Sequence, residues 1–228
     1  MNRSYQKELL DGNDIPFADI RQNMLELDFI NSRLGGHAIT IQGFKRLLQN
    51  KKQVTVCEIG CGGGDNLHAI YKWCRKNQIA VQLIGVDINK DCIRVAHEKL
   101  PEAITQLITV DYREAAFGGN KPDIIFSSLF CHHFSEEALL DMLNWMHAHA
   151  GTGFFINDLH RHVLAYHAIK ILTGIFSKSY LVKNDAPLSV QRGLVKEEWK
   201  DLLEKSAAAD YSIEWKWAFR WLIISRHA

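Results

Sequence analysis

The sequence predicts an α/β protein built on a mostly parallel, seven-stranded sheet with helices on both faces. Five short apolar segments alternate with helical patterns, which is the arrangement of a parallel sheet covered on both sides. Two further strand patterns near the end of the chain have only a short connection between them, so they must pair antiparallel. A glycine cluster at residues 60–64 separates the first strand from the helix that follows it.

Residues 1–50 are predicted to form a helical cap in front of this sheet. The first 18 residues are rich in turn-forming residues and predict an irregular arm. Helical patterns follow near residues 19–33 and 38–49, and Gly35-Gly36 interrupts them.

Residues 51–228 contain the elements of the sheet. The parallel strands are predicted at residues 54–59, 81–86, 104–110, 123–127 and 153–157. The helices between them are predicted at residues 66–77, 90–99 and 136–148, the last with Ser135 as its N-cap. A helix near 195–207 precedes the antiparallel strands at 211–216 and 219–225. Trp215, Trp217, Phe219 and Trp221 alternate there and are predicted to pack in the core and on the sheet.

Residues 158–194 are too long for an ordinary loop and predict an inserted lobe. Residues 163–176 within it are mostly apolar, and three interpretations are open: a core helix, a lid over a hydrophobic ligand, or a contact with a membrane surface. We favour core and lid together. Residues 184–193 are predicted to be a loop, from which Arg192 could reach a carboxylate or a bound ligand.

Composition limits the classes of function. The 228 residues are 47% apolar, which suits one large domain or a domain with a small lobe. Lys and Arg number 27 against 26 for Asp and Glu, so no basic field is present to bind nucleic acid, and nucleic acid is disfavoured as a partner. The composition leaves the oligomeric state open.

The predicted location is the cytoplasm. The chain has five cysteines and no Cys-x-x-Cys pair, which indicates reduced thiols. Its N-terminus lacks the apolar run of a signal peptide, and no apolar stretch reaches the roughly 20 residues that span a bilayer.

The glycine cluster is the strongest local signal for a ligand site. It follows an apolar strand and opens a helix, where glycines allow positive φ and close approach of a ligand. A dinucleotide fingerprint would carry glycine where Asp65 stands. Glu58 and Asp65 would also repel a pyrophosphate, so a cationic ligand suits the turn better.

This acidic-x-Gly-x-Gly-x-Gly turn resembles the first motif of class I S-adenosylmethionine (SAM) dependent methyltransferases, which are Rossmann-like. Three later segments resemble that family's motifs in the same order, at residues 83–88, 110–112 and 127–134. The resemblance covers roughly residues 33–157 and implies SAM as the cofactor. A Rossmann-like fold that binds another nucleotide is the alternative.

The resemblance also implies roles for single residues. Asp87 would hold the ribose hydroxyls, a task that suits a carboxylate with two acceptor oxygens. Asp111 would meet the adenine amino group, and Tyr112 would pack on the ring. The residues expected to contact SAM are Glu58, Gly60, Cys61, Gly62, Asp65, Asn66, Asp87, Ile88, Asp111, Tyr112, Ser128 and Leu129. For Arg33 and His37, a cofactor contact and a simple helix break are equally good interpretations.

The acceptor is expected at the ends of the fourth and fifth strands. An oxygen or nitrogen acceptor must lose a proton, which a histidine can take, and the candidates are His132, His133 and His160, with His162 beside them. Asp158 could cap the next helix instead of serving the site. His147-x-His149 and His160-x-His162 invite a metal, but two helical residues at this spacing do not face one way, so we expect no metal.

Residues 157–162, together with the following lobe, resemble the small-molecule O-methyltransferases related to ubiquinone biosynthesis and phenolic-lipid methylation. The resemblance implies a small, hydrophobic aromatic acceptor methylated on a phenol or quinol hydroxyl. The alternatives are a C- or N-methyltransferase of a small molecule and a catalytically inactive SAM-binding protein.

Overall fold

The computed structural model describes residues 1–12, 14–119 and 121–227, and within them it contains one seven-stranded sheet and eight α-helices. The strands are β1 (Gln53–Ile59), β2 (Ala80–Asp87), β3 (Thr105–Thr109), β4 (Ile124–Ser128), β5 (Gly153–Leu159), β6 (Asp210–Lys216) and β7 (Arg220–Arg226). The helices are α1 (Phe17–Arg33), α2 (Gly36–Leu48), α3 (Asp65–Lys76), α4 (Lys90–Lys99), α5 (Glu136–His149), α6 (Val163–Phe176), α7 (Tyr180–Arg192) and α8 (Lys196–Lys205).

The strand order is β3-β2-β1-β4-β5-β7-β6, and β7 runs antiparallel to the other six strands. The predicted fold class is therefore confirmed, including the antiparallel hairpin at the end of the chain. The chain runs outward from β1 to β3 and then returns to place β4 on the other side of β1. Open α/β sheets bind ligands outside the carboxyl ends of the strands at such a reversal.

The core fills both faces of the sheet because successive strand residues point to opposite sides. On one face, α5 and α8 cover β-strand residues such as Cys57 and Phe154. On the other, α2, α3 and α4 cover Val56 and Phe155, and Phe155 stacks on Phe126 with ring centroids 4.8 Å apart.

The last part of the inserted segment is helical, and the prediction of a loop at residues 184–193 is wrong. Asn184, Asp185 and Pro187 favour a turn locally, but they lie within α7. Leu181 and Leu188 of α7 are buried, so tertiary packing outweighs the local preference. Within α7, Asp185 holds the N-terminal arm, because its carboxylate accepts hydrogen bonds from the N–H groups of Leu9 and Leu10.

Helix α6 is far more exposed than a core helix. Ala165 and Thr173 are its buried residues, whereas Leu164, Ile171, Ile175 and Phe176 are between 63% and 74% exposed. The prediction that this helix belongs to the core is therefore wrong. Among the described residues, no helix is both long and apolar enough to cross a membrane.

The alternating aromatic residues of the C-terminal hairpin divide into two groups. Trp221 lies on the inner strand β7 and is buried, as predicted. Trp215 is 48% exposed on the edge strand β6, and Trp217 is 69% exposed in the turn. The prediction of core packing is wrong for these two, because Trp215 lies on the edge strand and Trp217 in the turn that follows it, away from the buried core.

All five cysteines are free and buried. Burial raises the pKa of each thiol above its ordinary value, and the carboxylate of Asp87 adds to the effect at Cys61 and Cys92. The thiols are therefore protonated and unreactive in the folded protein.

The two-sided core can be tested with a matched pair of phenylalanines. Phe155→Ala should lower the free energy of unfolding by roughly 3–5 kcal/mol, because it removes a ring packed in the core. Phe176→Ala removes the same ring from an exposed site and should change it by less than about 0.5 kcal/mol. Urea unfolding of both variants measures the difference, and equal effects would contradict the assignment of the core.

Candidate active site

A cavity of about 970 Å³ lies over the carboxyl ends of β1, β2 and β4. The N-terminal arm, α1, α6 and α7 form its outer wall. All twelve residues expected to contact SAM line it, together with His132 and His133. The cavity thus brings together residues that are widely separated in the sequence, at the edge of the sheet where the strand order reverses.

The glycine turn forms the floor of this cavity. Gly60 has φ +67°, and a Cβ at this position would come within 2.3 Å of the Phe130 ring. Gly62 has φ +49°, and its N–H donates to Asp87 Oδ2 at 2.8 Å. Glycine is therefore required for both the close contact and the left-handed backbone.

Asp87 ends β2 and connects the turn to the next loop. Its second oxygen accepts from the backbone N–H of Asn89 at 2.8 Å. Burial raises the pKa of Asp87, against the opposing effect of these two hydrogen bonds. The neighbouring Ile88 is 73% exposed at the mouth of the cavity. Each oxygen of Asp87 keeps a free lone pair that a ribose hydroxyl could use.

Asp111 and Tyr112 follow β3. The Asp111 carboxylate accepts from the backbone N–H and the Nε of Arg113 at 3.0 and 2.9 Å, and this interaction lowers its pKa. Tyr112 is buried edge-on between the rings of Phe134 and Trp145. Its orientation is thus fixed by packing.

Glu58 is buried at the end of β1 and forms a hydrogen-bonded chain towards α2. Asn66 Nδ2 donates to Glu58 Oε1 at 3.2 Å, and Thr40 Oγ1 donates to Asn66 Oδ1 at 3.0 Å. Burial, followed by the charges of Asp65 and Asp87, holds the pKa of Glu58 well above its ordinary value. A cation bound in the cavity would favour the ionised form.

Asp65 opens α3 and is held by the helices before the sheet. Asn31 Nδ2 and His37 Nε2 lie 3.1 and 2.9 Å from Asp65 Oδ2. Burial opposes ionisation, but His37 and Asn31 outweigh it and lower the pKa of Asp65. His37 therefore orients Asp65 from the side away from the cavity. Arg33 stacks on Phe29 at the surface. Neither the His37 side chain nor the Arg33 side chain lines the cavity.

His132 lies between two buried carboxylates. Its Nδ1 is 2.8 Å from Asp158 Oδ1, and its Nε2 is 3.5 Å from Glu8 Oε1. Burial disfavours the charged ring, but Asp158 and then Glu8 outweigh it and raise the pKa of His132 to about 9. His132 is therefore protonated at neutral pH. Asp158 serves this ring and does not cap α6, where His162 accepts from the N–H of Leu164 instead.

His133 is more accessible than His132 and faces the cavity. Its side chain is 21% exposed, with Nε2 3.7 Å from Glu8 Oε2 and Nδ1 3.5 Å from Asp11 Oδ1. Both separations exceed a hydrogen bond. Its ring nitrogens are thus close to carboxylates without being bonded to them.

His160 does not line the cavity, so it is not brought together with the other predicted site residues. Its Nδ1 accepts from Trp215 Nε1 at 3.2 Å, and its ring lies against Trp221. Arg161 forms an ion pair with Glu198 at 2.7 Å. The polar cluster at the end of β5 is therefore divided: Asp158 contacts His132, whereas His160 and Arg161 contact other elements.

Arg192 binds the backbone around the two adjacent histidines. Its Nε and Nη2 donate to the carbonyl oxygens of His132 and His133 at 3.2 and 2.8 Å, and its Nη1 donates to Gln6 O. The nearest carboxylate oxygen, on Asp11, is 4.0 Å away. Arg192 therefore fixes the segment after β4 and the N-terminal arm together.

Two groups of three potential metal ligands occur among the described residues: Glu8 with His132 and His133, and Asp28 with His37 and Asp65. In the first, the protonated ring of His132 has no lone pair to give a metal. In the second, the Lys99 ammonium already lies 2.6 Å from Asp28. Neither group includes the His-x-His pairs of the sequence. We assign no metal to either group, and the expectation that none binds stays a prediction.

Several residues on the cavity wall were not predicted from the sequence to be there: Glu8, Asn31, Trp217 and Arg220. Glu8 lies in an irregular arm, and no local pattern marks it. Arg220 did carry a signal, since it is a lone cation at the start of the apolar strand Trp221–Ser225, at the same sheet edge as the other candidates.

The comparisons with known proteins agree with this geometry. Residues 56–153 match the family model described as a methyltransferase domain. No relative was found among curated protein sequences.

Three solved structures illustrate the likeness in fold. The plantazolicin methyltransferase BpumL in complex with S-adenosylhomocysteine (SAH) is 17% identical, with a TM-score of 0.62 over 92% of this chain and 96% of that one. Magnesium protoporphyrin IX methyltransferase from Synechocystis, with bound SAM, is 13% identical, with a TM-score of 0.57 over 87% and 82%. An O-methyltransferase family 2 protein from Planctomyces limnophilus, in complex with apigenin, is 14% identical, with a TM-score of 0.54 over 77% and 51%.

Residues 56–153 are therefore a methyltransferase domain, and the prediction of a methyltransferase is confirmed at this level. The cavity suits SAM chemically. Acidic groups surround the turn, and four buried polar atoms on the wall lack a hydrogen-bond partner among the described residues: Asn31 Oδ1, Glu58 Oε2, Ser128 Oγ and Arg220 Nη1. Buried polar atoms are normally paired, so these atoms suit a polar ligand.

Asp87→Asn should weaken SAH binding by roughly tenfold to a hundredfold, because an amide offers one acceptor oxygen where the carboxylate offers two charged ones. Asp201→Asn, on the exposed surface of α8, is the matched control and should bind as the wild type does. Calorimetric titration measures both affinities. Equal binding by the two variants would exclude Asp87 as a cofactor ligand.

The raised pKa of His132 predicts a pH-dependent stability. Its folded value of about 9 exceeds the ordinary value of 6.5, so its contribution is complete below pH 6.5 and disappears as the pH rises through 9. The free energy of unfolding should fall by on the order of 3 kcal/mol between these limits, at 1.36 kcal/mol per pKa unit. Urea unfolding at pH 6.5 and 9.5 measures this fall. His132→Gln should abolish most of it, and His167→Gln, at an exposed site on α6, should preserve it.

Proposed function

We propose that the enzyme methylates a hydroxyl group of a small, hydrophobic aromatic acceptor, such as a phenol or a quinol. The observation that carries this proposal is the position of His133. It lies at the cavity wall just after β4, the strand next to the glycine turn, in the segment that resembles the methyltransferase motif lining the methyl-transfer point. A hydroxyl acceptor needs a base there, and an imidazole can serve as one at neutral pH.

His133 is the best candidate of the three histidines. His132 has both ring nitrogens directed at carboxylates and is protonated, so it cannot accept a further proton. His160 lies outside the cavity. We therefore assign His133 as the general base and His132 as a positioning residue that holds the segment after β4 against Asp158.

The cofactor supplies an electrophilic methyl group on a sulfonium. Once bound, SAM would give this methyl group to the acceptor oxygen and leave as SAH, with the electron pair of the broken carbon–sulfur bond on sulfur. The hydroxyl proton passes to a ring nitrogen of His133. The nearby carboxylates Glu8 and Asp11 stabilise the imidazolium that forms, and the rest of the catalysis is positioning.

The lining of the outer cavity supports an apolar acceptor. The inner face of α6 contributes Ala168, Ile169 and Leu172, and α7 contributes Val190. A cavity of about 970 Å³ is at the upper end of the range for small-molecule sites, so it leaves room for an acceptor beside the cofactor. We interpret α6 as a lid whose inner face contacts the acceptor.

We propose different roles for three segments of the chain. Residues 1–50 act as a cap over the cofactor, and residues 158–194 form the lobe that selects the acceptor, on a methyltransferase domain of residues 51–228. Side chains from both segments reach the cavity, among them Glu8 and Met24 from the first and Ile169 and Val190 from the second. We further infer a cytoplasmic location, which fits five free thiols.

His133→Asn should lower kcat/KM for a phenol or quinol acceptor by roughly 10²- to 10⁴-fold, because it removes the base but keeps a polar side chain of similar size. SAH affinity should change less than twofold. His160→Asn, outside the cavity, is the matched control and should retain wild-type turnover.

The acceptor assay uses methyl transfer from labelled SAM to a panel of phenols and quinols, with apigenin among the first because a structural neighbour was crystallised with it. Mass spectrometry of the products separates O-methylation from methylation of carbon or nitrogen. Methylation confined to carbon or nitrogen would refute the hydroxyl acceptor. Tight SAH binding with no transfer to any small molecule would favour the catalytically inactive SAM-binding protein.

A further inference from the structure

Arg220 is a buried cation on the cavity wall. It opens β7, pairs across the sheet with Leu159, and is 4% exposed. Burial lowers its pKa to about 10, although the charges of Asp158 and Asp65 oppose this effect. Its Nη1 has no hydrogen-bond partner within the described part of the chain. Buried guanidinium groups are normally paired, so this one suits an anion that the cavity receives.

Asn31 presents a complementary atom close by. Its Nδ2 donates to Asp65, which leaves Oδ1 as a buried acceptor without a partner among the described residues. Gly36 lies between the two side chains: a Cβ there would come within 1.6 Å of Asn31 Oδ1 and 3.2 Å of Arg220 Cζ. Any larger residue at position 36 would therefore displace both. A charged donor and an acceptor thus share one small region of the wall.

The place of this pair on the sheet indicates which end of a ligand would reach it. The expected adenine contact, Asp111, follows β3, and the expected ribose contact, Asp87, ends β2. The sheet continues from β2 through β1, β4 and β5 to β7, where Arg220 lies. A cofactor laid along this edge with its nucleoside at β2 and β3 therefore points its amino-acid end towards Arg220.

We propose that Arg220 binds the α-carboxylate at the methionine end of SAM, while Asn31 Oδ1 accepts a hydrogen bond from the α-ammonium group. An arginine can hold a carboxylate through two parallel hydrogen bonds, which gives both strength and orientation. The C-terminal hairpin, which lies outside the matched domain of residues 56–153, thereby selects for the amino-acid end of the cofactor. This inference rests on the use of SAM and is independent of the acceptor.

The test compares two ligands that differ in the amino-acid end. SAH contains it, and 5′-methylthioadenosine keeps the nucleoside and the thioether but lacks it. Calorimetric titration of Arg220→Met should show SAH binding weakened roughly tenfold to a hundredfold, since hydrogen bonds between charged groups are lost. Methylthioadenosine binding should stay within twofold of the wild type. Arg33→Met, at an exposed arginine, is the matched control and should bind both ligands normally.

Three results would overturn the assignment. Unchanged SAH binding by Arg220→Met would place the carboxylate elsewhere. An equal loss for both ligands would show that Arg220 maintains the shape of the site. If the variant does not fold, the wild type is titrated with SAH and with its analogue lacking the carboxyl group, and equal affinities would exclude a carboxylate site. Failure of the phenol or quinol proposal leaves all these binding measurements intact, so the two can be told apart.

Discussion

The site depends on the burial of one carboxylate, that of Asp158, near the end of the inner strand β5. A buried charge is costly unless it is paired, and Asp158 is paired with both the backbone and the ring of His132. This pairing charges His132, which in turn faces Glu8 from the irregular N-terminal arm. The arm is therefore part of the site, and its position follows from an electrostatic requirement at the middle of the sheet.

The acidic and basic side chains that line the cavity lie in separate parts of its wall. Glu58, Asp65 and Asp87 surround the glycine turn, whereas Arg220 lies towards β7. Helix α6 covers another part with aliphatic side chains. SAM, which carries a sulfonium, an ammonium and a carboxylate, would match both kinds of charge, whereas the proposed apolar acceptor would match the aliphatic part of the wall.

The sheet could be predicted from the sequence because its strands are apolar runs bounded by glycine and acidic residues, such as Val54–Ile59 before the glycine turn. The cofactor candidates followed because parallel strands bring their carboxyl ends to one edge. Contacts between distant parts of the chain could not be predicted from local patterns. Glu8 lies against His132, 124 positions away in the sequence. Helix α7 forms because its tertiary packing outweighs the helix-breaking tendency of Pro187. Exposure of α6 and Trp217 likewise depends on tertiary neighbours that no local pattern specifies.

The five buried thiols can be used to measure local opening of the fold. Each lies in a different place: Cys57 on β1, Cys61 in the glycine turn, Cys74 on α3, Cys92 on α4 and Cys131 after β4. Because burial keeps them protonated, a thiol reagent modifies each one only when its surroundings open. The labelling rate at Cys61 relative to Cys74 therefore measures how often the glycine turn opens independently of the rest of the domain, without any introduced probe.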